Sequence, residues 1–302
     1  MLHNPVLRYI DEVARQRSIR KAARVLNISS TAVNRQILKL EGELGTKIFN
    51  RIPDGVELTP AGEVIISHAR RTLFDFQKAR GEVSDITGLR IGHVRVSTLD
   101  SLTFEFIPQL LNEFSKAHPG VTFTINTTTP EEIPEAVASG GSDIGLGFTN
   151  FHHPDARVIL ETPTPFGAIV TPNHPLASRH FVTMSECTQF PIARTHDSSG
   201  KALFLEDEAR SLGLPTTAVF YSNSLVMIKH AILSGFGIGI FTKMGFTKEI
   251  KSGDLKFIPL SESNLTHYKL GAFISSTKNM STPANLLTQA IKKQLRNSDY
   301  SI

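Results

Sequence analysis

The 302-residue chain has no tryptophan, only four tyrosines and a single cysteine, Cys187. One thiol excludes an internal disulfide framework, and with it the small stapled folds of secreted proteins. No apolar run approaches the 18 or so residues that a membrane-crossing helix needs. The N-terminal stretch also lacks the apolar segment of a secretory signal, so the expected location is the cytoplasm, with no membrane partner. Cys187 lies in SECTQF without a second cysteine to resolve an oxidised form, so a packed thiol is expected rather than a redox sensor. Charge of one sign is not in excess overall: 32 Lys and Arg face 28 Asp and Glu. The distribution is uneven, however. Residues 1–90 hold 15 Lys and Arg against 10 Asp and Glu, and the remainder holds 17 against 18, so the net charges are +5 and −1. A basic segment favours nucleic acid through counterion release, although a surplus this modest does not establish it.

The basic part contains the most informative stretch, Ser18 to Leu44. Ser18 suits an N-cap, and Ile19, Ala22, Ala23 and Leu26 follow at i, i+3, i+4 and i+7, one face of a short helix. Asn27 to Ser30 break that pattern with turn and cap residues. Val33, Ile37, Leu40 and Leu44 then mark a second amphipathic helix beginning at Ser29 or Ser30. This is a helix-turn-helix, and its second helix is polar where DNA bases would lie. Ser30, Thr31, Asn34 and Arg35 fall near the exposed N-terminal end, with Lys39 a turn further on. Arg can pair bidentately with guanine and Asn with adenine, while hydroxyls and the helix N-terminus suit phosphate. An ordinary solvated face would look similar, so the flanking elements decide.

Upstream, Asn4 and Pro5 open a helix with Leu7, Ile10, Val13 and Ala14 on one face. Downstream, Lys47, Ile48 and Phe49 lead into Arg51, and Pro53, Asp54 and Gly55 mark a turn before Val56 and Leu58, a short wing that carries Arg51 to the minor groove or backbone. Thr59 and Pro60 then start a long helix. In it Ile65, Ala69, Thr72, Phe76, Ala79, Val83 and Ile86 repeat at alternating fours and threes, the spacing of a pairing seam. A homodimer through this helix is expected, ending near Gly88.

Ala22, Ala23, Leu26, Val33, Arg35, Gln36, Ile37, Leu40, Glu41, Leu44, Gly45, Phe49, Arg51, Leu58, Thr59, Ala61 and Gly62, in this order, resemble the winged helix-turn-helix of LysR-type transcriptional regulators. The likeness covers about the first 62 residues closely. Asn34 stands where the family often has serine, and Thr31 where proline or serine is frequent, so no base preference is carried over. A weaker likeness continues through IPQLLNEFSKAHPGV, SGGSDIGLGF, IVTPNHPLA and AILSGFGIGIF, which resemble the family's effector domain.

From Ile91 onward short apolar strands alternate with helices, the pattern of an α/β region built on parallel sheets. Expected strands are 91–98, 121–127, 143–148, 167–171, 191–194, 218–221, 238–241 and 269–274. The clearest helices are 102–117, 131–139, 201–212, 224–234 and 282–295. The resemblance implies a two-lobed, periplasmic-binding-protein-like effector domain with crossovers near Glu161–Pro165 and Thr266–Lys269. The expected domains are therefore residues 1–59, an all-α winged helix-turn-helix, residues 60–88, a linker and dimerisation helix, and residues 89–302, the effector domain. Its first lobe is about 89–162 with 268–302, and its second about 163–267. Ligands of open α/β sheets bind beyond the carboxyl ends of strands. Thr98, Ser101, Thr127, Thr128, Ser198 and Ser199 lie there, and their hydroxyls suit a small anionic or polyhydroxyl effector, although any one could merely cap a helix. The resemblance further implies a homotetramer built as a dimer of dimers.

Enzyme readings fail on spacing. Gly235, Gly237 and Gly239 precede an apolar strand instead of opening a phosphate-facing helix. Gly200 and Lys201 suggest a phosphate loop, but Thr195 occupies its first glycine position and Ala202 its metal-binding hydroxyl position. Adjacent His152 and His153 diverge on a strand and have no companion ligands, so no metal site and no cofactor are expected. His196, Asp197, Ser198 and Ser199 are sequence neighbours, which seldom meet as a catalytic triad, and no nucleophile elbow is present. A cytoplasmic small-molecule receptor without specific DNA recognition is the alternative, and it would leave the first 90 residues without a role.

Overall fold

The computed structural model describes residues 4–86, 92–196, 209–211, 213–214, 218–262, 265 and 267–296, and the fold is built from these. The N-terminal head begins with α1 (Val6–Gln16), where the Asn4 side chain accepts the Val6 N–H at 3.1 Å. Val6, Ile10 and Val13 turn one stripe of α1 inward. The helix stops at Arg17, which adopts a left-handed conformation (φ 48°) and offers its carbonyl to Val56 of the wing. Helix α2 (Ile19–Val25) is capped by Ser18 and α3 (Ser30–Leu44) by Ser29, whose hydroxyl accepts the Ala32 N–H at 3.2 Å. Gly45, at φ 68°, ends α3 as a residue without a side chain can. Strands β1 (Phe49–Ile52) and β2 (Gly55–Leu58) pair antiparallel as the wing. A Cβ on Gly55 would lie 2.1 Å from the Arg17 carbonyl oxygen, so this turn admits only glycine.

Helix α4 (Pro60–Ile86) starts on Thr59, whose hydroxyl accepts the Gly62 N–H at 2.9 Å. Its first three turns belong to the head: Ile66 and Ala69 are buried with Ile10, Val13, Ala22, Val33, Ile37 and Val56 in one core. Asp11 on α1 is itself buried, and Arg70 donates to it at 2.8 Å while Arg15 lies 3.0 Å away. Ala69, expected on the pairing seam, therefore packs inside its own domain, because the stripe that meets α1 overlaps the seam at this end. Val64 is instead turned outward, 67% exposed. Gly88 lies outside the described residues.

Two α/β lobes follow. Lobe I contains β3 (Gly92–Thr98), β4 (Val121–Thr127), β5 (Ile144–Phe148), β6 (Ala156–Pro163) and β12 (Lys269–Ser275), with α5 (Phe106–Ala117), α6 (Glu132–Ala138) and α10 (Thr282–Arg296). Lobe II contains β7 (Phe166–Val170), β8 (Ile192–Thr195), β9 (Phe220–Ser222), β10 (Ile238–Thr242) and β11 (Lys256–Pro259), with α7 (Met184–Cys187), α8 (Leu225–Leu233) and α9 (Thr247–Ser252). The strand orders are β4-β3-β5-β12-β6 and β11-β7-β10-β8-β9.

Both sheets are mixed, which corrects the expectation of parallel sheets. β3 runs parallel to β4 and β5, and β8 to β9 and β10, but β12 is antiparallel to β5 and β6, and β7 to β10 and β11. The cause is the double crossing: the chain leaves lobe I after Pro163 and returns at Lys269, so each sheet receives strands arriving in the opposite sense. β11 was not expected from the sequence, and of β6 only the end was, as the crossover near Glu161–Pro165. β6 is largely half-buried or exposed, and its one apolar run, Val158 to Leu160, is only three residues long between Arg157 and Glu161; β11 is four residues long. The expected helix over 102–117 begins as a 3-10 turn at Asp100–Thr103 and becomes regular only at Phe106. Residues 201–208 and 212 of the helix expected over 201–212 lie outside the described residues.

At the crossings Thr164 donates its N–H to the Tyr268 carbonyl at 2.8 Å. The rings of Phe148, Phe166 and Tyr268 meet there, with centroids 5.1–5.7 Å apart. This aromatic trio makes the apolar core continuous through the junction of the lobes. Cys187 is fully buried, and burial pushes its thiol up to about 12, so it is a packed, unreactive group.

Candidate DNA-reading face and ligand cleft

On α3 the buried residues Val33 and Ile37 fix which side faces away from the head. Thr31, Arg35 and Lys39 are exposed there, while Ser30 and Asn34 are half-buried. No acidic residue occupies the first turn of α3, so its free N–H groups keep their attraction for phosphate. The Thr31 hydroxyl donates to that of Ser29 at 3.1 Å. Lys39 lies 3.9 Å from Glu43, both largely exposed, a pair of little energetic weight.

The wing joins this face through a contact that the sequence did not disclose: the Arg51 guanidinium donates to Asn34 Oδ1 at 3.1 Å. Guanidinium has no acceptor, so the side-chain oxygen of Asn34 must be the atom turned towards Arg51. The two amide protons of Asn34 are not used in this contact. The bidentate pairing with adenine needs both the oxygen and the nitrogen, so Asn34 can make it here only by sharing its oxygen, through the second lone pair, with Arg51. Exposed Arg20, Lys21 and Arg24 on α2 add cations that the motif reading passed over, since no pattern marks a phosphate contact.

The second site is a cleft of about 660 Å³ between the lobes. Lobe I contributes Ser101, Thr127, Thr128, Thr129 and Glu132, and lobe II contributes Thr195, His196, Asn223, Ser224 and Thr242, with Phe148 and Phe166 at the back. These positions follow β3, β4, β8 and β9 at their carboxyl ends, as the topology requires. Thr128 donates its hydroxyl to the Glu132 carboxylate, and the Ser224 hydroxyl caps α8 by accepting the Met227 N–H. Ser101, Thr127 and Thr128 thus meet in the cleft. Thr98 does not line it: the side chain is fully buried and donates to the Leu99 carbonyl, because the last residue of β3 turns its side chain into lobe I. Ser198 and Ser199 lie outside the described residues. Glu132, Asn223 and Thr242 were missed because no local pattern separates a cleft-facing polar residue from a solvated one.

Beside the cleft the lobes touch. The Lys229 ammonium lies 4.5 Å from the Phe104 ring centre and 3.0 Å from both oxygens of Glu249, almost wholly buried. Glu105 of lobe I accepts the Lys248 N–H of α9 at 2.7 Å. Gly245 passes so near Ser101 that a Cβ there would sit 3.3 Å from the serine Cβ.

Elsewhere, Gly237 and Gly239 serve close packing, since a Cβ would strike the Pro191 carbonyl at 2.5 Å or Ile232 at 2.6 Å. His153 is engaged with Glu135 at 3.0 Å. Among the described residues no helix is long and apolar enough to cross a membrane.

A winged helix-turn-helix joined through a long helix to a two-lobed receptor defines a DNA-binding protein answering to a small molecule. Two family models match in succession: the bacterial regulatory helix-turn-helix protein of the lysR family over residues 6–63, and the LysR substrate binding domain over residues 87–296. The chain belongs to the LysR family, and is a DNA-binding transcriptional regulator with an effector-binding domain. Members of the family bind DNA and small-molecule effectors and form oligomers. It is 30% identical over 246 residues to the HTH-type transcriptional regulator CysB of Haemophilus influenzae, covering 80% of this chain and 76% of that one. It is 24% identical over 300 residues to the regulator CysL of Bacillus subtilis, covering 97% and 99%. Among solved structures, a full-length OxyR variant from Pseudomonas aeruginosa shares the fold with a TM-score of 0.66 at 20% identity, covering 98% and 95%.

Proposed function

We propose that residues 1–59 read DNA in the major groove through α3, with Arg35 as the principal base-reading side chain and Asn34 held beside it by Arg51. Ser30, Thr31 and Lys39 take supporting contacts on the same helix. Residues 60–88 pair two copies, so that two heads meet half-sites related by the dimer axis, and residues 89–302 hold the effector. Assembly into a dimer of dimers follows the family. The work is regulation rather than catalysis, and its place is the cytoplasm, where the DNA is.

The effector occupies the cleft and is small and rich in hydroxyl or amide groups. Ser101, Thr127, Thr128, Asn223 and Ser224 supply directional donors and acceptors, and Glu132 and His196 supply the ionisable ones. A ligand that binds one lobe arrangement more tightly shifts the assembly towards it, and the arrangement of the lobes sets the spacing and tilt of the heads and hence the bend of the DNA. The observation that carries the DNA reading is the Arg51–Asn34 contact, which joins wing and reading helix into one polar surface. The test is capture of genomic DNA fragments by the purified protein and by its Arg35→Ala variant at near-physiological salt. An interrupted palindrome enriched by the wild type and lost in the variant supports the reading. The same enrichment by both proteins removes α3 from it.

A further inference from the structure

Leu38 is 52% exposed on α3, whereas Val33 and Ile37 are buried. A single exposed leucine is ordinary on a protein surface, so its place on the helix matters more than its exposure. Thr31, Arg35, Leu38 and Gly42 advance by four, three and four residues and so form one line, on the side of α3 opposite Val33 and Ile37. Thr31, Asn34, Arg35 and Leu38 have the 0, 3, 4, 7 spacing of a recognition helix lying lengthwise in the major groove.

Gly42 supplies a second, separate observation. A Cβ there would meet nothing within 4 Å, and the residue sits inside a regular helix, where glycine weakens the fold relative to alanine. Neither packing nor backbone geometry within the chain calls for a glycine. Gly42 thus carries a cost with no return inside the molecule, and it shares one exposed line with Leu38 and with Arg35, the residue assigned above to base reading.

We propose that Leu38 is a specificity-determining residue that packs against the C5 methyl group of a thymine, and that Gly42 lets the DNA backbone approach the far end of α3. The proposal rests on α3 being the reading helix. An isobutyl group forms no hydrogen bonds, and in the major groove thymine alone offers a methyl group for it to cover. Arg35 and Leu38 are three residues apart, about 4.5 Å along the helix axis. The thymine therefore lies within one or two base pairs of the base that Arg35 reads.

The experiment selects sites from a randomised duplex library with the full-length protein, then replaces each thymine of the enriched site by deoxyuridine, which removes only the methyl. Wild-type binding is expected to weaken about fourfold per half-site at one thymine beside the Arg35 position. Leu38→Ala should bind the thymine and deoxyuridine duplexes equally while keeping the Arg35-dependent base. Gly42→Ala should raise the melting temperature of the head and weaken binding to all duplexes alike. If no deoxyuridine affects the wild type, or the effect persists in Leu38→Ala, the proposal is overturned. A changed oligomeric mass in Leu38→Ala, with deoxyuridine silent in the wild type, would assign the leucine to a protein contact and overturn it equally. Arg35→Ala separates the two levels: an altered site with silent deoxyuridine removes Leu38 alone, whereas an unaltered site removes α3 as the reader.

Discussion

The head and the cleft solve recognition in opposite ways. In the head, Ser30 to Lys39 lie on one helix and Arg51 on the adjoining wing, all fixed by one small core in which Ile10, Val33 and Ile37 are nearly inaccessible. The cleft is assembled from at least six chain segments of two lobes, joined at two crossings and by the contacts of Phe104 and Glu105 with lobe II. A rigid surface suits a partner whose shape is constant, such as a DNA groove. A cleft between two bodies can change width, so a ligand can be converted into movement.

The sharpest way to break this contrast is to damage one region and ask whether the other notices. Lys229→Met leaves the Glu249 carboxylate in its nearly buried site without its ammonium, and should cost the two-lobed part about 3–5 kcal/mol in denaturant unfolding followed by circular dichroism. The doubly substituted Lys229→Met/Glu249→Gln protein should recover much of that loss. Base preference of the head should not change in either. In the head, Asp11→Ala removes the shared acceptor of Arg15 and Arg70, and a loss of about 2 kcal/mol is expected, since both arginines keep partial access to water. The lobes should unfold as before; a single common transition displaced by either substitution would show that the regions are not separate units.

Arg35→Ala should weaken binding to the selected site by about 1–3 kcal/mol and leave binding to unrelated duplex nearly unchanged, measured by titration at fixed salt. Equal losses on both would make Arg35 a phosphate contact. The smallest effect concerns pH. Burial holds the His174 imidazole below the ordinary histidine value, so the folded state keeps it neutral while the unfolded chain takes up a proton near pH 6.5. Stability from this group is therefore present above that pH and is lost as pH falls through it. His174→Asn, which can still accept the Leu176 N–H, should flatten that part of the melting-temperature profile between pH 7.5 and 5.5.

The same contrast explains what was legible in the sequence. Ser18 and Ser29 cap their helices as local chemistry dictates, and the spacing of Val33 and Ile37 turns Arg35 outward, because a helix face is a property of neighbouring residues. The cleft is not local. Thr98 occupies the expected end of β3 yet points inward, while Glu132, Asn223 and Thr242 converge only because the two sheets bring distant strand ends together. The Arg51–Asn34 contact spans 17 residues and depends on the turn of the wing, and the three apolar residues Val158 to Leu160 are too short a run to have marked β6. Ala69 shows a different limit: a seam and a core stripe can share a helix, and spacing alone does not separate them.

The central claim is that the head fixes which DNA is bound and the lobes fix the geometry in which it is held. It can be tested by locking the lobes with a disulfide between Ser101→Cys and Gly245→Cys. The Cβ atoms would start 3.3 Å apart, slightly closer than an unstrained disulfide, and residue 245 must relax from φ 81° to carry the new side chain; buried Cys187 would not compete for oxidation. The bend of a selected duplex is then measured by fluorescence energy transfer between its ends, in the oxidised and the reduced protein. The account predicts an unchanged site preference, with one narrow bend when oxidised and a broader or shifted distribution when reduced. Identical bend distributions in the two states, or a site preference that follows the disulfide, would contradict it.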